Sequence, residues 1–334
     1  MYGCPVSSRR MRKGSFLFIF VSATIVAGWA AEPPAPAKPA EQPSPDELYD
    51  LGKSLFDQYA SPEVKEQFEF PNKEQWDQFA TRLQRALDNN DLRELAAYEP
   101  EARAALVALR ALPGYEDYAD WLAERLDYIE AAKQVSALPP PRPPALQPTP
   151  KPGQPAPPPA LFIPYYDLWV QRMRARPVPL RAAELMPELR AAFAAEGVPA
   201  ELAWLAEAES TLNPGARSPS GAKGLFQLMP DTAKALGLST FLPDERGDAT
   251  KSARAAARYL RALHGKFGEW PLVFAAYNAG EGRVRRLLAA SHATTFAQIS
   301  AALPSETRMY VPKVCATVAV RAGVPPERLP APRA

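Results

Sequence analysis

The sequence predicts an all-α protein built as two helical units. Three observations carry that expectation. Apolar residues recur at helical spacing on both sides of the chain's middle: Trp76, Phe79, Ala80, Leu83 and Leu87 share one face, and Ala256, Tyr259, Leu260 and Leu263 share another. Proline and glycine pairs punctuate these stretches at lengths suited to helices. The 39 prolines in 334 residues are too many for one compact fold, and they concentrate in a segment, 138–160, that is about half proline.

Taken in order, residues 1–30 read as an export signal. Arg9, Arg10, Arg12 and Lys13 precede the apolar run Phe16 to Ala30, and Gly28-Trp29-Ala30 supplies small residues for cleavage. That run is shorter than the roughly 20 residues a spanning helix needs, so removal is expected, with a retained membrane anchor as the alternative. The expected location is the periplasm or cell envelope. Without these residues the chain holds 35 basic and 37 acidic side chains, and nothing suggests nucleic-acid binding. Residues 31–45 are Pro/Ala-rich and expected to be disordered.

Residues 46–137 read as a helical domain. Leu48, Leu51, Leu55 and Phe56 form one face, the Trp76 stripe a second, and Arg103 to Leu112 and Tyr118 to Ile129 two more helices. It contains no catalytic constellation. Glu63, Glu66, Glu69 and Glu74 read as a solvated face, and aromatics such as Trp121 and Tyr128 as core. Binding of sugar or of a cell-envelope protein partner is the alternative use of those aromatics. The segment 138–160 favours extended polyproline II, a semi-rigid spacer reaching roughly 70 Å at about 3.1 Å per residue.

Residues 161–325 are again helical, followed by a tail, 326–334. Tyr165 to Arg172 and Leu185 to Ala195 give two helices. A third starts after Gly197-Val198-Pro199, with Leu202, Leu205, Ala206 and Glu209 at i, i+3, i+4 and i+7. Glu209 thus sits on an apolar stripe in the last turn before Asn213-Pro214. Desolvation and the negative end of the helix dipole both favour its protonated form, which makes it a candidate proton donor. Glu207 lies about 160° round the helix from it and reads as a surface charge. Asp244 and Asp248 sit at a turn and a helix start, where capping is their expected role. Cys315 falls among Val314, Ala316 and Val318 and reads as core. Two histidines, His264 and His292, are too few and too separated for a metal site, and no cofactor is expected.

After Glu209 comes a glycine-rich run, Gly221 to Gln227, suited to a sharply bent backbone. Five pieces stand in order here: Glu209-Ser210, Asn213-Pro214, Ser218 ahead of Gly221-Ala222, Gly224-Leu225-Phe226-Gln227, and Met229-Pro230-Asp231-Thr232-Ala233. Further on come Tyr277-Asn278-Ala279-Gly280 and Glu306-Thr307-Arg308-Met309-Tyr310-Val311. Together these resemble the soluble lytic transglycosylase (SLT) family, of the membrane-bound lytic murein transglycosylase D type. The resemblance covers the C-terminal half and says nothing of residues 31–160.

It implies a goose-lysozyme-like helical catalytic domain acting on peptidoglycan glycan strands. The reaction implied is cleavage of the β-1,4 bond between N-acetylmuramic acid and N-acetylglucosamine, leaving a 1,6-anhydromuramoyl end. Glu209 would serve as acid and then base, without a second carboxylate. Ser218, Gln227, Tyr277, Asn278 and Tyr310 match family cleft positions, and Met229 with Phe226 would wall the cleft. A hydrolytic muramidase and a non-catalytic glycan-binding protein are the alternatives.

Overall fold

The structure is a computed structural model and describes residues 89–111, 116–139 and 161–333 except 219 and 220, with positions 57, 85, 86, 141 and 142. The expected signal, the stretch 31–45, the helix around Leu48, most of that around Trp76, the four carboxylates Glu63 to Glu74 and nearly all of the proline-rich segment lie outside the described residues.

Among the described residues the fold is helical, with pairing of β type confined to the isolated bridges Arg217–Lys223 and Lys223–Leu228. In chain order the helices are α1 (Leu92–Ala96), α2 (Glu99–Ala111), α3 (Glu116–Ser136), α4 (Tyr166–Ala175) and α5 (Ala182–Ala195). A 3-10 turn, Ala200–Trp204, runs into the short α6 (Leu205–Ser210), followed by α7 (Pro230–Ala235) and α8 (Ala249–Phe267). Then come α9 (Trp270–Ala279), α10 (Glu281–Ser291), α11 (Phe296–Ile299) and the long α12 (Ser305–Ala322).

Local chemistry sets several boundaries. Asp91 and Asp248 cap α1 and α8, accepting from Arg93 N and Lys251 N at 2.8 Å. Pro271 occupies the first turn of α9, where its missing N–H is harmless. Asp244 caps the 3-10 turn Glu245–Gly247 by accepting from Arg246 N.

Helix α9 lies at the centre of the fold: Leu272, Val273, Phe274, Ala275 and Ala276 are all buried. Helix α12 packs on it and on α4, burying Met309, Val311, Val314, Cys315 and Val318. Each large aliphatic or aromatic side chain so buried contributes about 2 kcal/mol.

The two helical units expected to stand apart share one core. Leu122, Leu126 and Ile129 of α3 are buried in the same apolar cluster as Trp169 and Val314. Tyr128 meets Trp169 edge-on at 6.0 Å. Asn89 binds the start of α12, with Ser305 N donating to Asn89 O at 2.8 Å, and Asn90 binds the 3-10 turn Ser300–Ala302 just before it, Nδ2 donating to Ala301 O at 2.9 Å. Tyr128 is core, as its spacing suggests, and Trp169 of the second unit is part of what it packs against.

Candidate active site

Glu209 comes one residue before the end of α6. Leu202, Leu205 and Ala206, which share its face, are fully buried. The helix stops at Ser210, earlier than the Asn213-Pro214 pair suggests. Thr211 and Leu212 both turn left-handed, with φ of 50° and 58°, and their amides fold back on Glu207 O and Ala206 O. Ser210 Oγ then donates to Leu225 O at 2.9 Å, tying the helix end to the glycine-rich loop.

The Glu209 carboxyl is half-buried, and Tyr310 Oη of α12 donates to its Oε1 at 2.5 Å. Burial pushes the carboxyl up to about 7. The Tyr310 bond and the nearby Arg125 charge pull the other way, while Glu306 pushes it further up. Desolvation wins because the favourable partners are one neutral hydroxyl and two cations, Arg125 and Lys313, each already committed to carboxylates elsewhere. Arg125, of α3, is ion-paired with Glu306 at 3.0 Å.

Glu207 departs from expectation. It does point away from Glu209, yet it is 1 % exposed and holds Arg321 at 2.7 Å in a buried pair. Its side of the short helix faces α12 instead of water, which helical periodicity could not distinguish.

The loop after Glu209 is bent by specific contacts. A Cβ on Gly224 would lie 1.9 Å from Arg246 O, and φ there is +83°, so glycine is required. Arg246, 7 % exposed, donates through Nη1 to Gly221 O at 2.7 Å and Leu228 O at 3.1 Å, stitching the loop closed. Asp244 holds Arg246 at 2.9 Å and Lys223 at 3.1 Å. Burial pushes the Asp244 carboxyl up, but those two bonds hold it at about 2.

Ser218 and Gln227 use polar atoms within this loop. Ser218 Oγ accepts from Ala222 N at 2.9 Å, and Gln227 Nε2 donates to Gly224 O at 2.9 Å and Ala216 O at 3.3 Å. Gln227 has φ +46°, a strained value for a side-chain-bearing residue. Tyr277 Oη donates to Phe226 O at 2.7 Å, joining α9 to the loop, and its ring lies 5.4 Å from that of Tyr259. Asn278 Oδ1 accepts from Thr307 Oγ1 at 2.7 Å. Met229 is 41 % exposed, whereas Phe226 is fully buried against Phe193, 5.5 Å away, and belongs to the core.

Arg125, Arg246 and Glu306 were not singled out as site residues from sequence. Glu306 and Tyr310 are spaced i, i+4, so the motif itself puts them on one helix face. Arg125 carries no such signal, because its partner is 181 residues away. Among the described residues no group of His, Cys, Asp and Glu could hold a metal ion.

This chain matches, over residues 188–299, the family model described as "Transglycosylase SLT domain". It is 38 % identical over 145 residues to the membrane-bound lytic murein transglycosylase D of Escherichia coli K12, covering 42 % of this chain and 32 % of that one. It is 38 % identical over 120 residues to the soluble lytic murein transglycosylase of Salmonella typhimurium, covering 34 % and 19 %. The chain therefore spans about a third or less of these relatives' lengths. The crystal structure of the 70 kDa soluble lytic transglycosylase SLT70 from Escherichia coli aligns over 69 % of this chain and 37 % of that one, at 22 % identity and a TM-score of 0.40.

Proposed function

We propose that this protein is a peptidoglycan lytic transglycosylase with Glu209 as its single acid and base. The observation that carries the reading is the Glu209 carboxyl, held near 7 by burial and gripped by Tyr310. A group poised there can give up and take back one proton near neutral pH. Glu209 protonates the glycosidic oxygen as the C1–O bond breaks, and the muramoyl N-acetyl oxygen stabilises the positive charge at C1. The resulting carboxylate then takes the proton of the C6 hydroxyl as that oxygen bonds to C1. No water enters, and the product ends in a 1,6-anhydro ring. The match to the SLT domain and to murein transglycosylases supports the substrate class.

In this reading Tyr310 orients the acid, and Tyr277, Ser218 and Gln227 shape the loop against which the glycan lies. Met229 and Asn278 line the strand's path. Glu306 is a second carboxylate near Glu209, but its ion pair with Arg125 leaves it poorly placed to activate water. That pairing favours the transglycosylase over the hydrolytic alternative. A murein substrate also implies export, to the periplasm or envelope, with residues 1–30 as the signal; among the described residues no helix is long and apolar enough to cross a membrane.

Digestion of purified sacculi followed by mass spectrometry tests the reading. Anhydromuramoyl ends are expected; reducing muramoyl ends would establish hydrolysis instead. Glu209→Gln is expected to lower the rate by about 10²–10⁴-fold while sacculus binding persists.

A further inference from the structure

The site is completed from outside the SLT domain. On α12, Glu306, Tyr310 and Lys313 recur at i, i+4 and i+7 and therefore face the same way. Tyr310 meets Glu209, and its two neighbours on that stripe both meet α3: Glu306 pairs with Arg125 at 3.0 Å, and Lys313 with Glu124 and, at 3.3 Å, Asp127. The adjacent α3 residue, Glu124, also accepts from Thr211, two positions beyond Glu209. Arg125 cannot swing away easily. Its guanidinium lies 5.1 Å from the Trp121 ring centre and 5.9 Å from that of Tyr128, and its side chain is 17 % exposed.

We propose that Arg125 is a positioning residue of the Glu209 site, supplied by α3: its ion pair with Glu306 holds and neutralises the second carboxylate, so that Glu209 alone works as the acid. This rests on the reading of Glu209 as the proton donor. The groups whose charges reach Glu209 are Tyr310, Glu306 and Lys313 from α12, Arg125 and Tyr128 from α3, and Tyr277 from α9. The tyrosines stay neutral in the working range and Lys313 is matched by two carboxylates. Arg125 and Glu306 are therefore the pair whose separation would change the field at the acid. Losing Arg125 removes an attraction for the carboxylate and bares a repulsion, and both effects raise the Glu209 titration midpoint. Losing Glu306 acts oppositely.

The test uses the full chain as wild type, Arg125→Met, Arg125→Lys and Glu306→Gln. The Glu209 carboxyl is titrated by carbon-13 NMR, its signal identified by its loss in Glu209→Gln, beside a pH profile of sacculus lysis. Arg125→Met is expected to move both the midpoint and the alkaline limb of lysis upward by about 0.5–1 pH unit. Arg125→Lys should return both toward wild type, and Glu306→Gln should move both downward. A lower rate in Arg125→Met with an unmoved midpoint would mean that Arg125 is merely structural and would overturn the inference. So would Arg125→Lys behaving like Arg125→Met. If Arg125→Met does not fold, Glu306→Gln decides: an unmoved midpoint overturns the inference, and a lowered one upholds it. A wild-type chain that lyses nothing at any pH would defeat the functional reading, while the titration would still read the role of Arg125 on its own.

Discussion

Glu209 binds its proton more tightly in the folded chain than in the unfolded one, about 7 against an ordinary 4.5. The sign follows directly. Stability tied to this group is fully present below about 4.5, drains away as pH climbs to about 7, and stays low above that. Glu209→Gln keeps the shape without the charge, so it should match wild type in denaturant unfolding at pH 4.5 and exceed it by about 2–3 kcal/mol at pH 8. Equal stability at both pH values would mean that burial does not strain the carboxylate. A raised carboxyl was legible from the spacing of Leu202, Leu205 and Ala206 with Glu209. The buried fate of Glu207 was not, since a helix pattern reports direction and not what lies there.

At the scale of the element, the loop between α6 and α7 gets its shape from backbone approach. Gly221 and Gly224 have nearly the same left-handed φ, +87° and +83°, but a methyl on Gly221 meets nothing nearer than 3.9 Å. Gly221→Ala should thus cost about 1 kcal/mol, the strain of the left-handed residue. Gly224→Ala should cost about 3 kcal/mol or more, because the Arg246 carbonyl must also move. Thermal unfolding of the two variants compares them, and equal losses would refute the close approach as the reason for glycine. The glycine pattern announced a bent loop. It did not announce Arg246, which reaches in from beyond α7 to hold Gly221 O and Leu228 O, nor that Ser218 and Gln227 turn their polar atoms on the loop itself.

Across the whole molecule, α3 is joined to α12 by buried charge. Lys313 is fully buried, and burial, which opposes its charge, is overcome by Glu124 and Asp127, so its pKa stands above the usual lysine range. Asp127, also flanked by Arg172 and Arg176, is held at about 2 although burial opposes it. Removing one member strands the others, so Lys313→Met should destabilise the full chain by about 3–5 kcal/mol in denaturant unfolding. Adding Glu124→Gln to it should recover part of that loss. A single variant as stable as wild type would show that the charges are solvated and that α3 is only loosely attached.

By itself the sequence determined the helical class, the places of several helices of the C-terminal half such as Leu185 to Ala195, and Glu209 as the acid to examine. All of these follow from contacts within one or two turns of chain. Tertiary structure decided what surrounds that acid: Tyr310 on its oxygen, Arg125 on its neighbour Glu306, and α3 pressed against α12 instead of standing off on a spacer. Those choices belong to pairs separated by a hundred residues or more. Charge and burial become specific there only when two distant surfaces meet, and no periodicity within either surface records its partner.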